Sequence, residues 1–159
     1  RRQGCTALIN AAALAGCAYA NSGPSTVHVL AGMAASRSGL PLGLFLGILT
    51  PYCLEYLHLK EGRSIDHLLL DLVGTDVAAM ASQGMQGAIV INALHALLYD
   101  VTKASRGQVP STLAQTGIDR QQLGPMAQQA AQDHPGLCDA AGAAVILEHA
   151  WLGIPMVSL

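Results

Sequence analysis

The chain has 159 residues, of which 52% are hydrophobic, 11% charged and 4% aromatic, with a formal net charge of -2. That length and apolar content suffice for one domain that buries about two-thirds of its extended surface without needing a disulfide or a metal. Such a composition excludes a disordered segment, and two lysines (Lys60, Lys103) with no basic run exclude nucleic-acid binding, which depends on cations neutralising phosphates.

Turn chemistry divides the chain into helices. The first is expected over 6–20, ended by Asn21-Ser22-Gly23-Pro24, and Ser25 can cap the second, over 26–36. Residues 38–54 carry no charge, yet Gly39, Gly43, Gly47, Pro41 and Pro51 interrupt them. A buried helix over 42–59, started by Pro41 and disturbed near Pro51, accounts for them better than a membrane span.

A short helix follows over 64–73, with Ser64 as its cap. Thr75 or Asp76 then opens a long helix reaching Ser105, in which Gly84 and Gly87 permit close packing or a break. A linker at 108–112 and a helical turn near Leu113 lead to a helix capped by Asp119 and running to Asp133. His134-Pro135-Gly136 breaks the chain before a last helix over 140–151. No stretch of alternating β-branched residues suggests a strand, so residues 1–159 read as a single all-α domain.

Nucleotide-binding and nucleophile motifs are missing: no GxGxxG, GxxxxGK[ST] or GxSxG occurs. The cysteines, Cys5, Cys17, Cys53 and Cys138, form no CxxC pair. Cys53 is a poor nucleophile because no basic neighbour lowers its pKa. His58, His67, His95, His134 and His149 stand on separate segments without the spacing of a helical metal site, and the His67–Asp71 pair reads as structural.

Ala15-Gly16, Ala18-Tyr19, Asn21, Gly23, His28, Pro41, Gly43 and Leu49-Thr50-Pro51 recur in order, followed by VPSTLAQTGIDRQQLGPMAQQAAQD at 109–133. In this order and spacing the chain resembles the helical C-terminal domain of the iron-containing (group III) alcohol dehydrogenases. The resemblance implies an all-helical fold, and a family chemistry of hydride transfer between NAD(P) and an alcohol at a divalent metal. Of the metal-ligating histidines in this region, one aligns with His28. The second aligns with Leu42, and an additional family histidine aligns with Gly32.

A leucine and a glycine supply no ligand, so the resemblance implies a degenerate chain with no metal and no NAD cofactor. The expected function is a recruited helical domain that binds an apolar small molecule in the old cleft. It would catalyse a non-redox reaction of the cyclisation or isomerisation type. His28 is the candidate acid-base residue, with Tyr19, Tyr52 and Glu55 assisting, and Gly32, Leu42, Phe45, Leu46 and Leu49 are the candidate substrate contacts.

Two other readings stand beside it: a dehydrogenase subunit or fragment whose nucleotide domain lies on another chain, and a non-catalytic interaction subunit. A homo-oligomer or a second protein subunit is expected over the apolar 38–54 face, with no membrane or nucleic-acid partner and a cytoplasmic location.

Overall fold

The computed structural model describes residues 2–62, 64–82 and 84–156. Every regular element among them is helical, as the sequence pattern predicts: α1 (Arg2–Ser22), α2 (Thr26–Ser38), α3 (Leu42–Lys60), α4 (Leu69–Met80), α5 (Gln86–Ala104), α6 (Leu123–Asp133) and α7 (Ala140–Leu152). Short 3-10 turns precede α4 and α6, and a third covers Ala114–Thr116.

Helix α3 is the axis of the fold. It packs against α2, α7 and α5, while α6 joins α2 to α7 on the far side. Phe45, Ile48, Leu49, Tyr52 and Cys53 on α3 meet Leu30 and Ala34 of α2, Met126 and Ala130 of α6, and Ile146 and Leu147 of α7 in the main core. A smaller cluster of Ile65, Leu69, Val90 and Ile91 holds α4 on α5, with Leu54 of α3 against it.

Polar contacts fix these helices at their ends. Thr26 Oγ1 donates to Leu137 O at 2.6 Å, and Arg37 donates to Gln129 Oε1 at 2.8 Å. Leu113 N and Trp151 Nε1 donate to Ala150 O and Ile118 O, each at 3.0 Å, which anchors the 113–118 segment on α7.

Several boundaries differ from the sequence expectation. Helix α3 runs unbroken through Pro51. The proline leaves the carbonyl four residues earlier without its partner, but that residue is the exposed Gly47, where water can satisfy it. The long helix expected up to Ser105 is instead two: α4 ends at Met80 and α5 begins at Gln86.

Gly84 adopts a φ of +89° in the break. Gly87 provides the close packing, since a Cβ there would collide with the His58 ring. Gly74, with φ 79° and ψ 173°, bends α4 between the two segments that turn chemistry had separated.

The apolar 38–54 face expected to need an outside partner is largely covered by the chain's own helices. The large apolar side chains that remain exposed there are Leu40 and Leu42. Helix α3 is long and apolar enough to cross a membrane by length and composition, and it is also the helix that carries the core.

A further exposed apolar surface lies on the first helix. Helix α1 has no buried residue, and Leu8, Ile9 and Leu14 are each about 70% exposed. The accessible area, 9640 Å², exceeds the roughly 7,500 Å² expected of a compact monomer of this mass.

Candidate functional site

The sequence-predicted residues fall into three separate places. His28 sits at the third position of α2, where its Nδ1 accepts from Ser25 N at 3.3 Å and lies 3.0 Å from Ser25 Oγ. Its ring stacks obliquely on Tyr19 of α1, centroids 4.9 Å apart. Tyr19 is 46% exposed, and neither ring lines the cleft described below.

Tyr52 and Glu55 lie on the inner side of α3, facing α5. Glu55 is fully buried, and its Oε2 lies 3.7 Å from Nε2 of His95. His95 also meets Tyr52 edge-on at 4.9 Å between centroids. Burial first, and the Glu55 charge second, push the Tyr52 phenol up to about 12. Sequence spacing does not bring His95 into this group, because forty residues separate it from Glu55 and only the α3–α5 packing joins them.

The candidate substrate contacts do not converge. Phe45 and Leu49 are fully buried in the main core, and Leu46 packs against it from the side. Leu42 is 46% exposed, and a Cβ placed on the exposed Gly32 would meet nothing within 4 Å. None of the five borders the main cleft. His28, which aligns with a ligand position of the resembled family, is outside the lining of that cleft as well.

That cleft, about 540 Å³, lies between the start of α2, the C-terminal half of α3 and the start of α7. Its apolar wall is Val27, Cys53, Leu54, Leu57, Ala143 and Ile146, and its polar rim includes Ser25, Thr50, Tyr56, Glu61 and Asp139. The volume suits a small organic molecule. The α3 residues reach it because Thr50, Leu54, Leu57 and Glu61 recur at helical spacing on one face, a signal present in the sequence.

Asp139 caps α7. Its Oδ1 accepts from Gly142 N at 2.7 Å, so the apolar run from Ala140 starts as a helix without a hydroxyl cap. Gly142 lets Tyr56 close over this end: a Cβ there would lie 2.6 Å from Tyr56 Oη and 2.9 Å from Asp139 Oδ2. The hydroxyl and the carboxylate therefore crowd one point at the rim. Burial, then the charges of Asp139, Glu61 and Cys138, hold the Tyr56 phenol above its ordinary value.

Two thiols face the same cleft. Burial, reinforced by Cys138, raises Cys53 well above the thiol range, and burial with Asp139 raises Cys138. Both stay protonated and weakly nucleophilic at neutral pH.

Among the described residues, no three His, Cys, Asp or Glu side chains converge where they would hold a metal ion. The positions aligned with the metal ligands do not fit one either: Leu42 and Gly32 bring no donor, and His28 Nδ1 is engaged with Ser25. No protein-family model, curated protein or solved structure matches this chain, so its likeness to the iron-containing alcohol dehydrogenases rests on the quoted residues alone.

Proposed function

We propose that this chain is a small-molecule-binding helical domain whose site is the cleft between α2, α3 and α7. The chemistry proposed for it is non-redox, with no step through a metal or a nicotinamide. The carrying observation is the cleft itself: about 540 Å³, walled by apolar side chains, with Tyr56 and Asp139 crowded at one point of its rim.

An apolar body would fill the wall of Leu54, Leu57 and Ile146, and the protonated Tyr56 hydroxyl would donate to a polar group on it. His28 is outside the lining, so an acid-base role in the cleft passes to Tyr56, with Asp139 as the neighbouring acceptor. A cytoplasmic setting fits four cysteines that are all free.

Native mass spectrometry of the purified chain, followed by thermal-shift screening with apolar organic compounds, tests this reading. Bound compounds should raise the melting temperature, and Val27→Trp, which fills the cleft, should abolish the shift. A shift that survives Val27→Trp, or no shift from any compound, would sink it.

A second reading, an interaction subunit, is favoured by one observation: α1 buries no residue and leaves Leu8, Ile9 and Leu14 exposed. Sedimentation velocity of the full chain against a variant lacking residues 1–22 tests it. Association lost with α1 supports this reading, and identical monomeric behaviour rejects self-association through α1.

A further inference from the structure

We propose that α1 pairs with the α1 of a second copy of this chain, antiparallel, about a two-fold axis near Ala12. This rests on the interaction reading above and deepens it by naming the partner and its orientation; the cleft reading is independent of it.

Helix α1 is amphipathic, yet none of its residues is buried. Leu8, Ile9, Ala12, Ala15 and Gly16 recur at helical spacing along one side, and Gln3, Thr6, Asn10 and Asn21 occupy the other. The helix is tied to the body at its C-terminal end, where Tyr19 stacks on His28. In water a helix draws most of its stability from packing its apolar side. The chain also exposes roughly 2,100 Å² more than a compact chain of its mass. A standard stable interface takes about 800 Å² from each partner, so the surplus exceeds what one such interface needs.

Three features select a second copy as the occupant. Residues 3–36 include no Asp, Glu, Lys or Arg, so α1 beyond Arg2 offers a charged partner nothing. Its polar side lacks the lysines and arginines by which an interfacial helix holds a membrane surface. The apolar stripe is complementary to itself: Leu8 and Ile9 lie in its N-terminal half, Ala15 and Gly16 in its C-terminal half.

An antiparallel copy centred on Ala12 sets Leu8 against Gly16 and Ile9 against Ala15, large against small. A parallel copy would stack large on large and leave the small end unfilled. Antiparallel pairing also opposes the two helix dipoles and places the two Arg2 side chains at opposite ends.

Sedimentation velocity of the full chain should show a dimer at micromolar concentration. Leu8→Glu sets two carboxylates into the seam without partners and should raise the dissociation constant about a hundredfold. Leu14→Glu, equally exposed but on the other side of α1, should leave the dimer intact. In a Cys5→Ser, Cys17→Ser background, Ala12→Cys should link to its copy under oxidised glutathione. Leu8→Cys, about 12 Å from its copy along the axis, should not.

Equal weakening by Leu8→Glu and Leu14→Glu, or none by either, overturns pairing through the stripe. Leu8→Cys linking to itself as readily as Ala12→Cys overturns the antiparallel orientation while leaving the interaction reading standing. A chain that stays monomeric at submillimolar concentration overturns the proposal outright, and flotation of that monomer with phosphatidylcholine vesicles would make the occupant a lipid surface.

Discussion

Glu55 and His95 meet across the α3–α5 interface with Oε2 and Nε2 3.7 Å apart, the carboxylate fully buried and the imidazole 17% exposed. This is the one charged side chain in the described core, and it stands where the main core gives way to the α4–α5 cluster. Burying a carboxylate is costly unless it is compensated, and the His95 ring, beyond hydrogen-bond distance of Oε2, supplies a polar neighbour across an otherwise apolar joint.

A double-mutant cycle measures their coupling. Glu55→Gln and His95→Phe should each destabilise the fold, and the two together should cost about 1–2 kcal/mol less than their sum in urea unfolding. Strict additivity would show that the two side chains are neighbours without being partners.

Phe45 and Leu42 separate core from surface on the same helix. Phe45→Ala should cost about 3–5 kcal/mol because it leaves a cavity in a fully buried site. Leu42→Ala, nearly half exposed, should stay within about 0.5 kcal/mol. Comparable losses at both positions would mean that α3 is rotated about its axis relative to this structure.

Gly142→Ala should destabilise the protein even though alanine favours a helix by about 1 kcal/mol. The new methyl would lie 2.6 Å from Tyr56 Oη and 2.7 Å from its Cζ, so the ring must leave its place over α7. In a Tyr56→Ala background the penalty should shrink sharply. A thermal melt of the four variants reads this out, and an equal penalty in both backgrounds would contradict the packing.

Alkaline titration should show a phenol ionising near pH 12 that disappears in Tyr52→Phe. The folded value lies above the ordinary one near 10, so folding favours the protonated form. Its contribution to stability is full below about pH 10 and is lost as the pH rises through about 12. Absorbance at the tyrosinate band follows the ionisation, and a Tyr52→Phe titration identical to the parent's would refute the assignment.

Thiol labelling separates the cysteines by environment. Cys5 and Cys17, exposed on α1, should react with a maleimide rapidly, and Cys53, buried and held protonated, should react only on unfolding. Rapid native-state labelling of Cys53 would place it outside the core.

Much of the helical order was readable because breakers and caps act locally. Asn21-Ser22-Gly23-Pro24 ends α1, Asp119 accepts from Gln121 N to start the turn before α6, and His134-Pro135-Gly136 separates α6 from α7. Pro51 misled the reading because burial on both sides outweighs one lost hydrogen bond.

The candidate site was less legible. Tyr52 and Glu55 do occupy the inner side of α3, but His95 joins them only through tertiary packing. Tyr56, Glu61 and Asp139 meet for the same reason: nothing local to residues 50–61 announces that 136–143 will fold against them. Apolar Phe45 and Leu49 resembled a binding face because composition does not distinguish the inside of a helix bundle from the wall of a cleft.

Cys53, Ala143 and Ile146 belong at once to the cleft wall and to the main core. Occupancy and unfolding are therefore linked by mass action: a ligand that needs this wall binds the native chain alone. At about one hundred times its dissociation constant, such a ligand would add about 2.7 kcal/mol of stability. The same sharing means that a substitution weakening the core also dilutes the binding-competent population, so losses of affinity caused by distant core variants would follow their stability rather than their distance from the cleft.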